Sequence, residues 1–297
     1  MQTVPSRPQF LGIGAQKAGT TWLWAQLQRH PNVWMPPRKE VHYFDRNFPT
    51  PNYLGEPRLL RRIFGRETHH RAWREMMQAD FRQSWKAKDL KALRWYSRFY
   101  FGALDDDWYR ALFPKDEHLM CGEITPAYSI LAEEDVAHIA RLLPELKIIL
   151  LLRNPIDRAW SQIRFDWTRG ARADITNLEE IKAFIDSPKQ SLRSSYLRML
   201  EIWGRHFPPE RFLVGFYDDI TTQPAHLLER VTQFLGLESA PATPQDLGRK
   251  VHASREAPMP PEIRAYLIEK YAPDLRLLEE RFGAPVSEWL ASAQAAK

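Results

Sequence analysis

The residues best suited to chemistry lie in the segment 14–21, GAQKAGTT. Gly14 and Gly19 are five positions apart, as are the two glycines of the phosphate-binding loop G-x-x-x-x-G-K-[ST]. That motif has lysine at the position of Thr20, whereas the lysine of this loop is Lys17. A glycine-bounded loop that leads into a helix N-terminus binds an oxyanion through main-chain N–H groups. The displaced lysine therefore predicts a nucleotide whose 5′ end differs from a triphosphate.

A second reactive segment is PPRKEVHYFD, residues 36–45, which contains Glu40 and His42. A carboxylate beside an anion-binding loop is repelled by the ligand, so a purely structural glutamate is poorly placed there. As a general base, Glu40 is well placed to take the proton of an attacking hydroxyl or amine. Taken alone, either side chain fits equally well as an ordinary hydrogen-bonded surface residue.

Two further segments follow apolar runs. In RNPIDRAWSQ, residues 153–162, Arg153 leaves a strand and Ser161 lies two helical turns further on, and an arginine with a hydroxyl is a natural phosphate clamp. Arg158 and Arg164 are alternative donors on that helix, and we expect Arg164 to be surface charge.

GEITPAY, residues 122–128, either shapes the acceptor pocket or forms only a cap and turn.

The elements that must position these residues are short apolar runs separated by helical patterns. The predicted strands are QFLGIG, NVWM, HLMCGE, LKIILLLR and RFLVGFY, at 9–14, 32–35, 118–123, 146–153 and 211–217. Helices are predicted at 20–30, 134–146, 194–207 and 261–283. Strand–helix alternation predicts an α/β fold with a central parallel β-sheet flanked by helices, and ligands bind at the carboxyl ends of such strands. The whole chain, 1–297, is predicted to be a single domain.

Residues 52–110 interrupt this alternation with a basic, aromatic and helical pattern. They are either an inserted cap with a solvated charged face or a wall of the acceptor cleft. No nucleic-acid-binding signature accompanies the charge, so we expect no nucleic acid partner.

Composition sets the broad class. The chain has a net charge of +5, 44% hydrophobic residues and a single cysteine, Cys121. There is no run of about 20 apolar residues and no apolar leader, so we expect a cytoplasmic protein without a membrane span. The lone cysteine excludes an internal disulfide and is typical of a buried, inert thiol.

Taken together, GAQKAGTTW, KEVHYFD, GEITPAY and LLRNPIDRAWSQ resemble the motifs of sulfotransferases that use 3′-phosphoadenosine 5′-phosphosulfate (PAPS). The similarity is greatest to the heparan-sulfate and bacterial carbohydrate branch and extends over residues 9–237. It implies an enzyme that transfers the sulfuryl group of PAPS to a hydroxyl or amine of a glycan or small metabolite, leaves 3′-phosphoadenosine 5′-phosphate (PAP), and needs no metal.

The resemblance also implies residue roles. Lys17, Glu40 and His42 are expected in catalysis, with Glu40 as the base and Lys17 assisting the leaving oxygen. The cofactor contacts that it implies are Gly14, Lys17, Ala18, Gly19, Thr20, Thr21, Trp22, Arg153, Ser161, Ser194, Tyr196, Arg249 and Lys250. Two departures concern the acceptor: Ile124 replaces a lysine of the heparan-sulfate enzymes, and the insertion at 52–100 is longer.

Alternative functions remain at this point. A small-molecule kinase on the same architecture needs Mg-ATP, and the missing lysine at position 20 counts against it. A non-catalytic nucleotide or nucleic-acid binder leaves Glu40, Arg153 and Ser161 without a role. The acceptor is not identified by the sequence, and a homodimer through the helical pattern at 261–283 is left open.

Overall fold

The computed structural model describes residues 7–45, 59–116, 118–169, 177–238 and 257–294. Across these ranges five strands form one parallel sheet, in the order β2-β3-β1-β4-β5. The strands are β1 Phe10–Gly14, β2 Val33–Trp34, β3 Met120–Ile124, β4 Lys147–Leu152 and β5 Phe212–Phe216. Each lies within or overlaps a predicted apolar run, which confirms the α/β fold with a parallel sheet.

The helices that connect and cover the strands follow in chain order. They are α1 Thr20–Arg29, α2 Leu59–Phe64, α3 Thr68–Lys86, α4 Leu90–Phe101, α5 Asp106–Ala111, α6 Glu133–Leu142, α7 Pro155–Arg169, α8 Leu178–Asp186, α9 Pro188–Ser194, α10 Tyr196–His206, α11 Tyr217–Thr222, α12 Pro224–Leu235, α13 Pro261–Phe282 and α14 Val286–Gln294. Short 3₁₀ turns occupy Pro126–Ile130 and Pro209–Arg211. The helix predicted over 194–207 is divided, because Ser195 has non-helical backbone angles and separates α9 from α10.

The order of the strands places a crevice at the end of β1. From β1 the chain runs to the outer strand β2, returns to β3 and then crosses β1 to reach β4. In open α/β sheets ligands bind where successive connections leave in opposite directions, outside the carboxyl ends of the strands. The segment between β1 and α1 therefore lies in this crevice, flanked by the ends of β3 and β4.

The sheet is covered on both faces, as expected for parallel strands. Ile148–Leu152 of β4 have no exposed surface. Helix α13 packs against α7, α8 and α10. No helix in the described ranges is long and apolar enough to cross a membrane.

The helical region predicted between the second and third strands is present as α2–α5. Its interior is aromatic and includes Trp73, Trp95, Phe99, Tyr100 and Tyr109, all buried. Rings stack between α4 residues, with the Trp95 and Phe99 centroids 4.9 Å apart. Trp73, Trp95 and Trp108 are thus core residues of this region, whereas Trp85, near the end of α3, is 73% exposed.

Candidate functional site

The loop between β1 and α1 depends on its glycines. Gly19 caps α1 with a φ of 88°, and a Cβ there would lie 2.2 Å from the Ile220 Cδ1 atom. A Cβ on Gly14 would lie 2.7 Å from the Ser129 Cβ atom. Because Gly19 has no side chain to cap the helix, the first N–H groups of α1 are left for a ligand, at the positive end of its dipole. Ala18 is fully buried, so the loop presents backbone rather than side chain there.

Three predicted contacts begin α1 itself. Thr20 and Trp22 are buried, and Thr21 is half-buried between them. Their main-chain N–H groups lie in the first turn, where the helix supplies no acceptor. Their positions fit the binding of an anion by backbone groups.

Lys17 lies at the turn of the loop in the left-handed region, with a φ of 68°. Its Nζ atom lies 4.1 Å from the centroid of the Phe165 ring on α7. This cation–π contact holds the ammonium group between the loop and α7.

Arg153 connects the end of β4 to the same loop. Its Nη1 atom donates to the Lys17 carbonyl oxygen at 3.1 Å. Its guanidinium carbon lies 4.2 Å from the centroid of the Tyr217 ring, at the start of α11. The structure therefore brings Arg153 and Lys17 together, as predicted from their positions after two neighbouring strands.

Ser161, Ser194 and Tyr196 are all buried, and Tyr196 contacts Arg153. Ser161 is buried on the second turn of α7. The Tyr196 hydroxyl donates to the Arg153 carbonyl oxygen at 2.8 Å, and Ser194 Oγ accepts two N–H groups from Arg158. The hydroxyls of Ser194 and Tyr196 thus already have protein partners that hold the region around Arg153.

Glu40 and His42 form one hydrogen-bonded cluster after β2. The two Glu40 oxygens lie 2.6 Å from Lys39 Nζ and 3.2 Å from His42 Nε2. The other ring nitrogen of His42, Nδ1, lies 2.8 Å from Asp45 Oδ2. Both Glu40 and His42 have left-handed backbone angles, with φ of 66° and 58°. Such angles at non-glycine residues cost free energy and persist only where surrounding contacts enforce them.

The cluster controls the charge of Glu40. Burial raises the pKa of Glu40. The hydrogen bond from His42 and the charges of Lys39 and His42 lower it by more, so that the resulting pKa is about 2. The carboxylate is thus ionised at neutral pH and able to accept a proton. An ammonium group and an imidazole hold it in place.

Glu123, at the end of β3, anchors this segment. It is 1% exposed and accepts four hydrogen bonds, from Thr125 Oγ1, Tyr109 OH, Tyr128 OH and the main-chain N–H of Val41. Burial raises the pKa of Glu123, although the four hydrogen bonds that it accepts act to lower it. Of the two readings of GEITPAY, the structure supports a structural role for Glu123, because its oxygens face the chain around Val41.

Contacts from the helical insertion also hold the segment 36–45. Arg38 Nη1 donates to Asp80 of α3 at 2.6 Å, and Tyr43 OH donates to Asp106 of α5 at 2.6 Å. The region thus supports the segment that carries Glu40. Asp105 caps α5 by accepting the Trp108 N–H at 2.7 Å.

Several residues of the site escaped the sequence reasoning. Asp45 lay within the segment 36–45, and its spacing of three from His42 was a usable signal. No sequence signal identified Phe165 and Tyr217, because the position of an aromatic ring next to a cation depends on how the helices pack. Ile124, which replaces a lysine of the heparan-sulfate enzymes, is buried against Gly12. A Cβ added to Gly12 would lie 2.7 Å from Ile124 Cγ1.

Two other predictions concern residues outside the cluster. Arg249 and Lys250 lie outside the described residues. Cys121 is buried and burial raises its pKa to about 12, so the thiol is inert as expected.

Comparison with known proteins gives the family. A family model described as "Sulfotransferase family" matches residues 8–241. Mouse heparan sulfate glucosamine 3-O-sulfotransferase 3A1 is 32% identical over 139 residues, which are 44% of this chain and 35% of the mouse protein. Human bifunctional heparan sulfate N-deacetylase/N-sulfotransferase 3 is 26% identical over 249 residues, or 80% of this chain and 23% of the human protein. The matched regions span only about a quarter to a third of these curated relatives.

Solved structures show the same fold. A sulfotransferase from Alicyclobacillus acidocaldarius superposes with a TM-score of 0.60 at 24% identity, over 95% of this chain and 98% of that chain. The sulfotransferase domain of the Synechococcus PCC 7002 olefin synthase gives a TM-score of 0.51 at 20% identity, over 83% of this chain and 78% of that chain.

Proposed function

Because the chain belongs to the sulfotransferase family, we propose that it transfers the sulfuryl group of PAPS to a hydroxyl or amine of a carbohydrate or small metabolite. The observation that carries the proposal is the joint placement of Lys17, Arg153 and the uncapped start of α1 at one end of the sheet. Together they offer one lysine, one arginine and a helix N-terminus to an anionic nucleotide. PAPS supplies a sulfuryl group on a good leaving phosphate.

The residues of the loop fit the 5′ end of this donor. The left-handed glycine at position 19 and the open N–H groups of α1 suit a phosphate or sulfuryl oxygen. Lys17 would donate to the bridging oxygen, where negative charge develops as the bond to sulfur breaks. Arg153 and Ser161 would hold the 3′-phosphate, with Ser194 and Tyr196 positioning them.

Glu40 would act as the base. Its pKa of about 2 makes it a weak base in the empty site. The hydroxyl proton of an acceptor becomes acidic only as the new oxygen–sulfur bond forms, so a weak base suffices late in the reaction. Anionic groups of the donor nearby would also raise the pKa of Glu40. His42, fixed between Glu40 and Asp45, would orient the carboxylate.

The acceptor belongs to the finer part of the proposal. The names of the relatives refer to heparan sulfate, a glycan, and support a sugar acceptor. The buried isoleucine at position 124 provides no charge at the place of the heparan-sulfate enzymes' lysine. We therefore propose a carbohydrate or small metabolite other than a typical glycosaminoglycan, and a cytoplasmic, single-domain enzyme with no nucleic acid partner.

Calorimetric titration tests the donor. PAP in EDTA and ATP with Mg²⁺ are titrated separately into the protein. Binding of PAP with EDTA present, together with weak binding of ATP, is expected. Binding of Mg-ATP alone would overturn the proposal in favour of a kinase. A panel of sugars and small alcohols with labelled PAPS then identifies the acceptor.

A further inference from the structure

Arg158 of α7 is a fully buried cation whose hydrogen bonding is incomplete. Its Nε and Nη2 atoms donate to Ser194 Oγ at 3.0 and 2.7 Å, whereas its Nη1 atom has no hydrogen-bond partner among the described residues. No carboxylate in those ranges forms an ion pair with it. A buried guanidinium without counter-charge is costly, and buried charges are normally paired. The missing partner therefore lies outside the described residues, and a ligand anion would supply it.

A second arginine lies beside it. Arg193 directly precedes Ser194 at the end of α9, and its buried Nε atom also has no partner within the part of the chain that is described. Burial and the charge of Arg158 lower the pKa of Arg193 to about 10. The charges of the two arginines repel each other, the charge of Asp166 offsets part of this repulsion, and an oxyanion bound to both guanidinium groups would offset more of it. Guanidinium groups suit this role, because their N–H groups pair with two oxygens at once.

The helices that carry the pair, α7 and α9, pack near the proposed reaction centre. Helix α9 packs on α7 and on the 3₁₀ turn Pro126–Ile130, whose Ser129 contacts Gly14 of the anion-binding loop. The same helix α7 carries Phe165 beneath the ammonium group of Lys17. The charge of Glu40 also acts on Arg193. An anion held by the two arginines would therefore lie beside both the loop and the proposed base.

We propose that Arg158 and Arg193 form an oxyanion subsite next to Glu40, which takes a sulfate, phosphate or carboxylate group. Two sources supply this chemistry: an anionic substituent of the acceptor, or the transferable sulfuryl group of the donor. The subsite itself follows from the unpaired guanidinium groups, and only the choice of source rests on the proposed function. In either case the arginines bind and orient an anion and transfer no proton.

The test locates a bound anion directly. Crystals grown without sulfate or phosphate are soaked in sodium selenate, and anomalous scattering from selenium is measured. We expect selenium density within hydrogen-bonding distance of Arg158 Nη1 and Arg193 Nε. Density at the loop 14–19 reports separately on the proposed donor site. Absence of selenium from the arginine pair overturns the subsite, whether or not the loop is occupied.

Solution binding and variants complete the experiment. Sulfate is titrated into the protein saturated with PAP or with PAPS. Sulfate binding in both complexes identifies the acceptor's anion as the occupant, whereas binding in the PAP complex alone identifies the donor's sulfuryl group.

Arg193→Gln should weaken sulfate binding roughly tenfold or more, since a charge-assisted hydrogen bond is lost. Equal affinity in this variant and the wild type refutes the proposal.

Two variants control for folding and general charge. Arg193→Lys keeps the charge but loses the two-pronged donor, so it should weaken binding less than Arg193→Gln. Arg205→Gln removes a half-exposed arginine of α10 that pairs with Glu133 and Glu201, and should leave sulfate affinity unchanged. Loss of affinity in Arg205→Gln equal to that in Arg193→Gln would show a general charge effect and overturn the subsite.

Discussion

Glu123 Oε2 accepts the main-chain N–H of Val41 at 3.1 Å. Val41 lies between Glu40 and His42, which both have left-handed backbone angles. The end of β3 therefore holds the segment that follows β2 and carries Glu40. Tyr128 adds a second tie, since its hydroxyl accepts the Tyr43 N–H at 2.9 Å and donates to Glu123. A buried carboxylate thus fixes a strained segment that carries the proposed base.

Glu123→Gln tests this tie. The amide replaces one acceptor oxygen with a donor that faces donors, so the free energy of unfolding should fall by about 1–3 kcal/mol. The kcat should fall by about 100-fold through misplacement of Glu40. Urea unfolding and steady-state kinetics at saturating PAPS measure the two effects.

Tyr109→Phe serves as the matched control for Glu123→Gln. It removes one of the four donors to Glu123 without placing a new donor there. Its effects on unfolding and kcat should be smaller than those of Glu123→Gln. An unchanged kcat in Glu123→Gln, with a lower stability, would mean that Glu123 supports the fold and not the position of Glu40.

Glu40→Gln tests the role of the base. The glutamine keeps the shape but cannot accept the acceptor's proton, so turnover should fall by roughly 10²–10⁴-fold. PAP affinity should be nearly unchanged, because Glu40 has no predicted contact with the nucleotide. Calorimetry with PAP and single-turnover kinetics separate the two. Loss of PAP binding in a folded variant would contradict the assignment.

The pH dependence of catalysis should follow the environment of Glu40. Its pKa is lowered to about 2 by His42 and Lys39 against the effect of burial, so the wild-type base stays ionised throughout the neutral range. In His42→Ala the imidazole is lost while much of the burial remains, and the pKa of Glu40 should rise. Activity of the variant should then decline as the pH falls towards that higher pKa.

The measurement for His42→Ala is the pH profile of kcat/KM between about pH 5 and 8, which reports pKa values of the free enzyme. The acid limb should appear at a higher pH in the variant than in the wild type. Arg205→Gln, on the surface of α10, should leave the profile as in the wild type. Superimposable acid limbs in wild type and His42→Ala would remove His42 from the control of Glu40.

The sequence predicted the sheet well because its signals are local. Each strand is a short, mainly apolar run, and parallel topology then brings the residues after the strands to one edge. This is why Lys17 and Arg153, far apart in the chain, were expected to meet. The four-donor network of Glu123 could not be predicted, because Tyr109 comes from the insertion and its contact depends on packing. The hydrogen bonds of Arg158 likewise depend on α9, which was not predicted: the helix expected over 194–207 includes only its last residue, Ser194.

Gly19→Ala tests the loop as an anion site. The left-handed backbone of Gly19 costs an alanine about 1–2 kcal/mol. Its Cβ would also lie 2.2 Å from Ile220 Cδ1, so either the start of α1 or the side chain of Ile220 must move. PAP affinity should fall because the N–H groups of the first turn are displaced.

Gly204→Ala provides the control: this glycine lies in α10 with no heavy atom within 4 Å of an added Cβ. That variant should be stabilised by about 0.5–1 kcal/mol and bind PAP as the wild type does. Calorimetry and thermal unfolding of both variants decide the matter, and undiminished PAP affinity in Gly19→Ala would place the nucleotide elsewhere.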